Sequence, residues 1–182
     1  MSRKYKFHDP EAVYFVSFAT VNWIDVFTRQ VYKDVVVDSI NYCIENKGLV
    51  VYAWVIMSNH VHLIMESNGE PLQNILRDLK KHTSKEIIKA IKENPRESRK
   101  EWVLWMMERA GKKNPNNKKY QFWQQHNHPL VLSNPLTFEQ KLNYIHANPI
   151  KAGWVELEEE YLYSSARDYS EQKGLVKIIL AR

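Results

Sequence analysis

The sequence predicts an α+β protein whose mainly antiparallel sheet is covered by helices. Two features of the first 94 residues indicate this class. Short β-rich runs, one alternating and others almost continuously apolar, predict strands, and longer amphipathic runs with helical spacing predict helices. Their order is strand, helix, strand, strand, helix. Two strands that follow each other with only a turn between them favour an antiparallel hairpin.

Composition is compatible with one folded domain over residues 1–182. The chain is 44% hydrophobic and 12% aromatic, so it can bury a core, and a disordered protein is excluded. Cys43 is the single cysteine, and we expect an inert core thiol in a reducing compartment. No stretch approaches the ~20 apolar residues that span a bilayer, so we expect a cytoplasmic protein without a membrane partner.

The first half of the chain contains three predicted strands. Residues 12–22 alternate in character and form the first. A helix over 31–48 follows, with Gly48 as its stop signal. Residues 49–57 are apolar throughout, as in a strand buried on both faces, and 60–66 form the other arm of the hairpin.

A long helix over 70–94 and a shorter one over 101–111 are predicted next. Within 95–119 we expect a basic loop, and 120–132 should form two extended pieces around a turn. The buried stripe of the long helix is Leu72, Ile75, Leu76, Leu79, Ile87 and Ile91.

The last predicted elements are a helix over 134–149 and a short helix near 164–172. Thr137 and Gln140 have capping-box spacing at the start of the first of these. It should end near Asn148, because the residue before a proline avoids helical angles. Residues from about 155 to 182 are expected to form a C-terminal extension of the same domain.

Positive charge is concentrated in one part of the chain. Residues 77–119 contain 14 Lys and Arg against six Asp and Glu, whereas the remainder contains 12 against 15. Clustered cations favour a polyanion partner. A solvated helix face followed by a basic loop explains the same pattern without a ligand.

Two histidines flank one valine in the predicted strand 60–66. Side chains of a strand alternate between faces, so His60 and His62 point the same way and can converge on one divalent ion. Two satisfied core or surface histidines are the simpler alternative. His126 and His128 have the same spacing beside Pro129, and we interpret them mainly as loop residues.

Several motifs in order give the chain a family resemblance. They are "MSNHVHLIM" at 57–65, "FWQQ" at 122–125, "NHP" at 127–129, "YIHANP" at 144–149 and "YSSARDY" at 163–169. With these motifs the sequence resembles the REP-associated tyrosine transposases, which belong to the single-tyrosine HUH transposases. The resemblance implies the HUH endonuclease fold, a ferredoxin-like (RRM-like) antiparallel sheet covered by helices.

The resemblance also implies an activity and a set of residues. The activity is metal-dependent nicking and strand transfer on single-stranded DNA beside hairpins. Tyr144 would be the catalytic nucleophile that forms a 5′-phosphotyrosine intermediate, and His60 and His62 would bind Mg²⁺ or Mn²⁺. Asn148, one helical turn after Tyr144, would be a third metal ligand, although an asparagine before a proline can simply cap the helix.

The expected DNA contacts are cations on the long helix, in the basic loop and after the tyrosine motif. Exposed aromatics such as Trp102, Trp105, Phe122 or Trp123 can stack on unpaired bases, although each is more often a core residue. The cations are Arg77, Lys81, Lys85, Lys112, Lys113 and Lys151.

Other interpretations stay open. One is a hairpin-binding protein without turnover, and another is a hydrolytic metal-dependent nuclease that also uses His126 and His128. The expected partner is single-stranded DNA with hairpin structure, and both a monomer and a homodimer are compatible with the sequence.

Overall fold

A four-stranded antiparallel sheet forms the centre of the molecule. The computed structural model describes residues 7–115 and 119–181. The strands are β1 Tyr14–Ala19, β2 Leu49–Ile56, β3 His60–Ser67 and β4 Leu130–Val131. They lie in the order β2-β3-β1-β4, and each neighbouring pair is antiparallel. This order is that of a ferredoxin-like sheet, so the predicted fold class is confirmed.

The described residues form five α-helices: α1 Gln30–Lys47, α2 Leu72–Glu93, α3 Lys100–Lys112, α4 Pro135–Lys151 and α5 Ala166–Tyr169. The helix α1 ends at Gly48, as predicted, in a left-handed conformation with φ 74°. A side chain at Gly48 would also approach the Gly69 nitrogen to 2.7 Å. All six residues of the predicted stripe of α2 are buried.

The two faces of the sheet meet different helices. One face carries Phe18 and packs against α2, from which the Lys80 ammonium approaches the Phe18 ring. The other face carries Phe15 and His62, and the ring of Tyr144 from α4 lies against both. Even-numbered side chains of β1 therefore face α2, and odd-numbered side chains face α4.

Two expectations for α4 are wrong. Its N-cap is Asn134, whose side chain accepts a hydrogen bond from the Thr137 nitrogen at 2.9 Å, so Thr137 does not begin a capping box. The helix also continues through Pro149 to Lys151 instead of ending near Asn148. Only two residues of α4 follow the proline, and its ring is buried, so packing outweighs the loss of one hydrogen bond.

Both edges of the sheet are accompanied by extended chain. Residues 122–131, which we call the edge segment, follow the outer side of β1: Trp123 bridges to Thr20, and β4 pairs with Tyr14 and Phe15. This agrees with the two extended pieces predicted there. Of the predicted basic loop, residues 116–118 lie outside the described residues.

Residues 163–181, which we call the C-terminal segment, follow the outer side of β2. Ser164 bridges to Val55, and the Ile179 nitrogen donates to the carbonyl oxygen of Val51 at 2.9 Å. The helix α5 spans four residues, fewer than predicted, and the chain turns at Glu171 with φ 59°. Across the described ranges, no helix is long and apolar enough to cross a membrane.

Candidate active site

The histidine pair lies on β3, between β2 and β1. His62 is paired across the sheet with Ser17 on one side and Val55 on the other. Strand alternation directs both imidazoles to the α4 face, as the sequence predicts, and the two ring centroids are 4.7 Å apart. The stiff strand backbone therefore fixes the spacing of the two rings.

His62 is buried as a neutral imidazole. Its exposed fraction is 4%, and its ring stacks on Phe15 at 5.4 Å. Burial is the main reason that the pKa of His62 is lowered to about 3. The nearby charges of His60 and Lys141 lower it further. Neither ring nitrogen has a hydrogen-bond partner within the described part of the chain. Such orphaned nitrogens are unusual in an interior and suit a metal ligand.

His60 is oriented by its neighbour Asn59. The Asn59 amide nitrogen donates to Asp25 Oδ1 at 3.0 Å and to the Trp23 carbonyl oxygen at 3.3 Å. Its oxygen therefore faces His60 Nδ1 at 2.7 Å and accepts a hydrogen bond from it. This arrangement leaves Nε2 of His60 as the nitrogen with a lone pair, and burial lowers the pKa of His60.

Tyr144 on α4 faces the histidine pair. Its ring centroid lies 5.2 Å from that of His62 and 6.0 Å from that of Phe15, and the residue is 39% exposed. The Lys141 ammonium lies 5.3 Å from the tyrosine ring centroid, and that of Lys151 lies 5.7 Å from it. The Tyr144 ring thus lies at the surface beside the His62 imidazole and two ammonium groups.

Asn148 is not brought to the histidines by any described contact. Its amide nitrogen donates to the Tyr144 carbonyl oxygen at 2.6 Å, on the same helix. It does not cap the helix either, because the C-cap is Ala152. Within residues 7–115 and 119–181, no group of three or more His, Cys, Asp or Glu side chains could hold a metal ion.

A buried hydrogen bond seats α4 on the sheet. The Nε2 atom of His146 lies 2.8 Å from Ser165 Oγ, which also accepts from the Trp54 nitrogen at 2.9 Å. His146 is therefore turned away from Tyr144, as expected, and burial lowers its pKa to about 4. Ser165 connects the C-terminal segment, β2 and the helix that carries Tyr144.

The remaining predicted cations are exposed, and several form local ion pairs. Arg77 pairs with Asp78, Lys85 with Glu86, and Lys112 with Glu108 one turn away. Lys81 and Lys113 are also exposed, whereas Lys151 lies beside Tyr144. Exposed pairs of this kind are weak and leave the cations available to another anion.

The aromatic residues proposed for base stacking divide into two pairs. Trp102 and Trp105 on α3 are half exposed. Phe122 and Trp123 are buried, and the Trp123 indole donates to Thr83 Oγ1 at 3.0 Å. The expectation that these last two can stack on DNA is wrong, because they fill the core beneath the edge segment.

The second histidine pair has a different setting. His126 and His128 lie exposed in the edge segment, with ring centroids 6.0 Å apart. His128 has φ 41°, so the backbone there is not an extended strand. Local turn geometry, not strand alternation, therefore sets this pair.

Sequence reasoning missed two residues beside the candidate site. Asn59 immediately precedes the first histidine in the turn between β2 and β3, a position from which a side chain reaches the next residue. Lys141 lies three residues before Tyr144 in α4, and that spacing places two side chains on one helix face. Both signals were present in the sequence, but neither is specific.

Comparisons with known proteins agree with this architecture. A family model described as "Transposase IS200 like" matches residues 12–108. A solved REP-associated tyrosine transposase bound to a REP hairpin shares 15% sequence identity, with a TM-score of 0.62, over 98% of this chain and 92% of that chain. This likeness supports the fold.

A candidate transposase from Deinococcus radiodurans R1 is 20% identical over 79% of this chain and 95% of its own, with a TM-score of 0.45. No curated protein matches the chain significantly. The family match spans more than half of the sequence and includes the β3 histidines, although it ends before α4. The chain belongs to the family of IS200-like transposases.

Proposed function

We propose that the chain is a metal-dependent nickase and strand transferase that acts on single-stranded DNA beside hairpins. The observation that carries the proposal is the approach of Tyr144 to the β3 histidines, with 5.2 Å between its ring and that of His62. These residues are 82 positions apart in the sequence, and both belong to one chain. A phenol, two neutral imidazoles and two ammonium groups suit attack on a phosphodiester.

The histidine pair fits a divalent ion. His62 has two orphaned buried nitrogens, and the Asn59 oxygen holds His60 with Nε2 as the lone-pair nitrogen. Two imidazoles leave coordination positions for oxygen ligands, and the Asn148 oxygen is one candidate. A bound Mg²⁺ or Mn²⁺ would neutralise charge on the phosphate and polarise it.

The chain's own residues account for the bond changes. The Tyr144 oxygen attacks the phosphorus and releases its proton to solvent, the bond from phosphorus to the 3′ oxygen breaks, and that oxygen takes up a proton from solvent. The products are a 5′-phosphotyrosine and a free 3′-hydroxyl, which can later attack the same phosphorus and restore Tyr144. One phosphodiester replaces another, so the cycle needs no nucleotide cofactor. The Lys141 and Lys151 ammonium groups would stabilise the charge that develops on the phosphate oxygens.

The substrate part of the proposal rests on charge and on the fold. The structural neighbour with the higher TM-score was solved with a REP hairpin. Exposed cations on α2 and at the C-terminal ends of α3 and α4 could follow DNA phosphates on this chain. We assign that role to Arg77, Lys81, Lys85, Lys112, Lys113 and Lys151.

The test is a covalent-adduct assay. The protein is incubated with Mn²⁺ or Mg²⁺ and an end-labelled hairpin with single-stranded flanks, and the products are separated on a denaturing gel. We expect an adduct that disappears in Tyr144→Phe and persists in Tyr42→Phe, an exposed tyrosine on α1. Cleavage that survives Tyr144→Phe would support hydrolysis instead. DNA that is bound but never cut would support a binding protein without turnover.

A further inference from the structure

A groove lined mainly by residues with polar side chains lies between α2 and the edge segment. Its volume is about 640 Å³, within the range of sites that hold one small ligand, so it suits one or two nucleotides and not a duplex. Its lining residues include Gln73, Arg77 and Lys81 on α2, and Gln124, Gln125 and Asn127 on the edge segment.

The groove lies close to the candidate active site. His62 on β3 pairs with Ser17 on β1, and the Ser17 nitrogen donates to the Asn127 carbonyl oxygen at 3.0 Å. These three residues form one row across the sheet. With about 4.8 Å between neighbouring strands, the backbone of Asn127 lies roughly 10 Å from that of His62. A strand of DNA at the histidines could therefore continue around this edge into the groove.

One wall of the groove is held in place by Lys80. Its ammonium donates to the Gln124 carbonyl oxygen at 2.9 Å and to Asn127 Oδ1 at 2.6 Å. It also lies 5.5 Å from the Phe18 ring centroid, and burial lowers its pKa to about 8. Lys80 is thus committed to the wall, whereas Arg77 and Lys81 are exposed.

The other wall presents a regular row of side chains. Gln73, Arg77 and Lys81 are spaced four residues apart and share one face of α2. The side-chain amides of Gln73 and Gln125 are exposed, and they have no hydrogen-bond partner among residues 7–115 and 119–181. A side-chain amide can donate and accept at once, as the edge of a base requires, and adenine is its best partner.

We propose that this groove binds unpaired nucleotides that flank the reacting phosphate, with Gln73 and Gln125 reading the base edge. Arg77 and Lys81 contact the phosphates, and such contacts carry no base preference. The inference rests on the proposed function for its ligand class. It adds a base-reading site, on the α2 side of the sheet, to the reacting residues on the α4 side.

The test measures equilibrium binding without metal, so that no covalent step contributes. Labelled hairpins carry a single-stranded flank of adenine, cytosine, guanine or thymine, and the dissociation constant is measured for each. We expect the native chain to prefer one flank, with adenine favoured. The double variant Gln73→Ala and Gln125→Ala should reduce the ratio of best to worst flank at least about fivefold. Gln172→Ala, an exposed glutamine near α5, is the matched control.

The cations give a separate expectation. Arg77→Ala and Lys81→Ala should weaken binding to all four flanks alike, and each should reduce the slope of log affinity against log salt by about one. Lys173→Ala is the control on the C-terminal segment. A native chain without base preference, or a double variant that keeps the native preference, would overturn the inference. Failure of the adduct assay alone would contradict the proposed strand-transfer activity but not this inference about DNA binding.

Discussion

The chain contains the pattern histidine, any residue, histidine twice, and the two copies have different environments. On β3, the pair is enclosed between the sheet and α4, with His62 4% exposed. In the edge segment, both His126 and His128 are exposed. The ring centroids are 4.7 Å apart in the first pair and 6.0 Å apart in the second.

This difference shows that the spacing of two histidines does not by itself make them suitable metal ligands. Burial keeps the first pair neutral, with the pKa of His62 at about 3, and the Asn59 oxygen selects which nitrogen of His60 can bind. The packing of α4 brings Tyr144 to the same place. Desolvation, orientation and the nearby Tyr144, the proposed nucleophile, distinguish the first pair, and each of these can be tested by mutation.

Removal of either histidine pair is the most direct test of the comparison. His60→Ala with His62→Ala should slow adduct formation at least about 10²-fold, because the proposed metal ion, which would polarise the phosphate, loses both of its imidazole ligands. His126→Ala with His128→Ala should change the rate by no more than about twofold, as expected of surface substitutions. The measurement is the single-turnover rate of adduct formation. Similar losses in both double variants would remove the distinction.

Loss of Asn59 tests the orientation of the first pair. In Asn59→Ala, His60 Nδ1 loses its acceptor, and we expect Mn²⁺ affinity to fall about 10- to 100-fold, the usual effect of removing the partner of a metal-binding histidine. Titration calorimetry with Mn²⁺ measures this effect. Asn46→Ala, at an exposed asparagine on α1, is the control. Unchanged affinity in Asn59→Ala would show that the strand alone orients His60.

The buried His146 provides a third imidazole for comparison. Ser165→Ala would leave His146 Nε2 and the Trp54 nitrogen without their common partner, so the free energy of unfolding should fall by about 1–3 kcal/mol. Urea unfolding measures this change, with the exposed Ser170→Ala as control. If stability is unchanged, the bond does not seat α4 as we describe.

The smallest expected effect concerns Lys80, which holds the edge segment. Its pKa is about 8 in the folded chain and about 10.4 when unfolded, so below pH 8 folding buries an ammonium that the unfolded chain solvates. That cost decreases as pH rises from 8 towards 10.4. Relative to that of Lys80→Met, the free energy of unfolding of the native chain should therefore rise by about 1 kcal/mol between pH 7 and pH 9. A constant difference between the two unfolding free energies would contradict the lowered pKa.

Much of the fold could be predicted because its signals are local. The apolar run of β2, the stripe of α2 and the stop at Gly48 each depend on nearby residues, and all agree with the structure. The end of α4 was misplaced because a local rule about Pro149 cannot include the packing of its ring. Phe122 and Trp123 were assigned a possible exposed role for the same reason, since burial is decided by distant elements.

The candidate site divides in the same way. The common direction of His60 and His62 follows from strand alternation, so the sequence suffices for it. The approach of Tyr144 to the histidines depends on how α4 packs on the sheet. Within the sequence, only the family resemblance indicates it. The roles of Asn59 and Lys141 depend on side-chain orientations that no periodicity contains.

The C-terminal segment along β2 has a practical consequence for work with shorter versions of this protein. Its backbone pairs with β2 at Ile56, Val55 and Trp54, so the strand has a neighbour on both sides there. A truncation before residue 160 would expose these hydrogen-bonding groups as a template for intermolecular pairing. Purification of such a fragment should yield aggregates or exchanged dimers, even though the whole region matched by the family model would still be present.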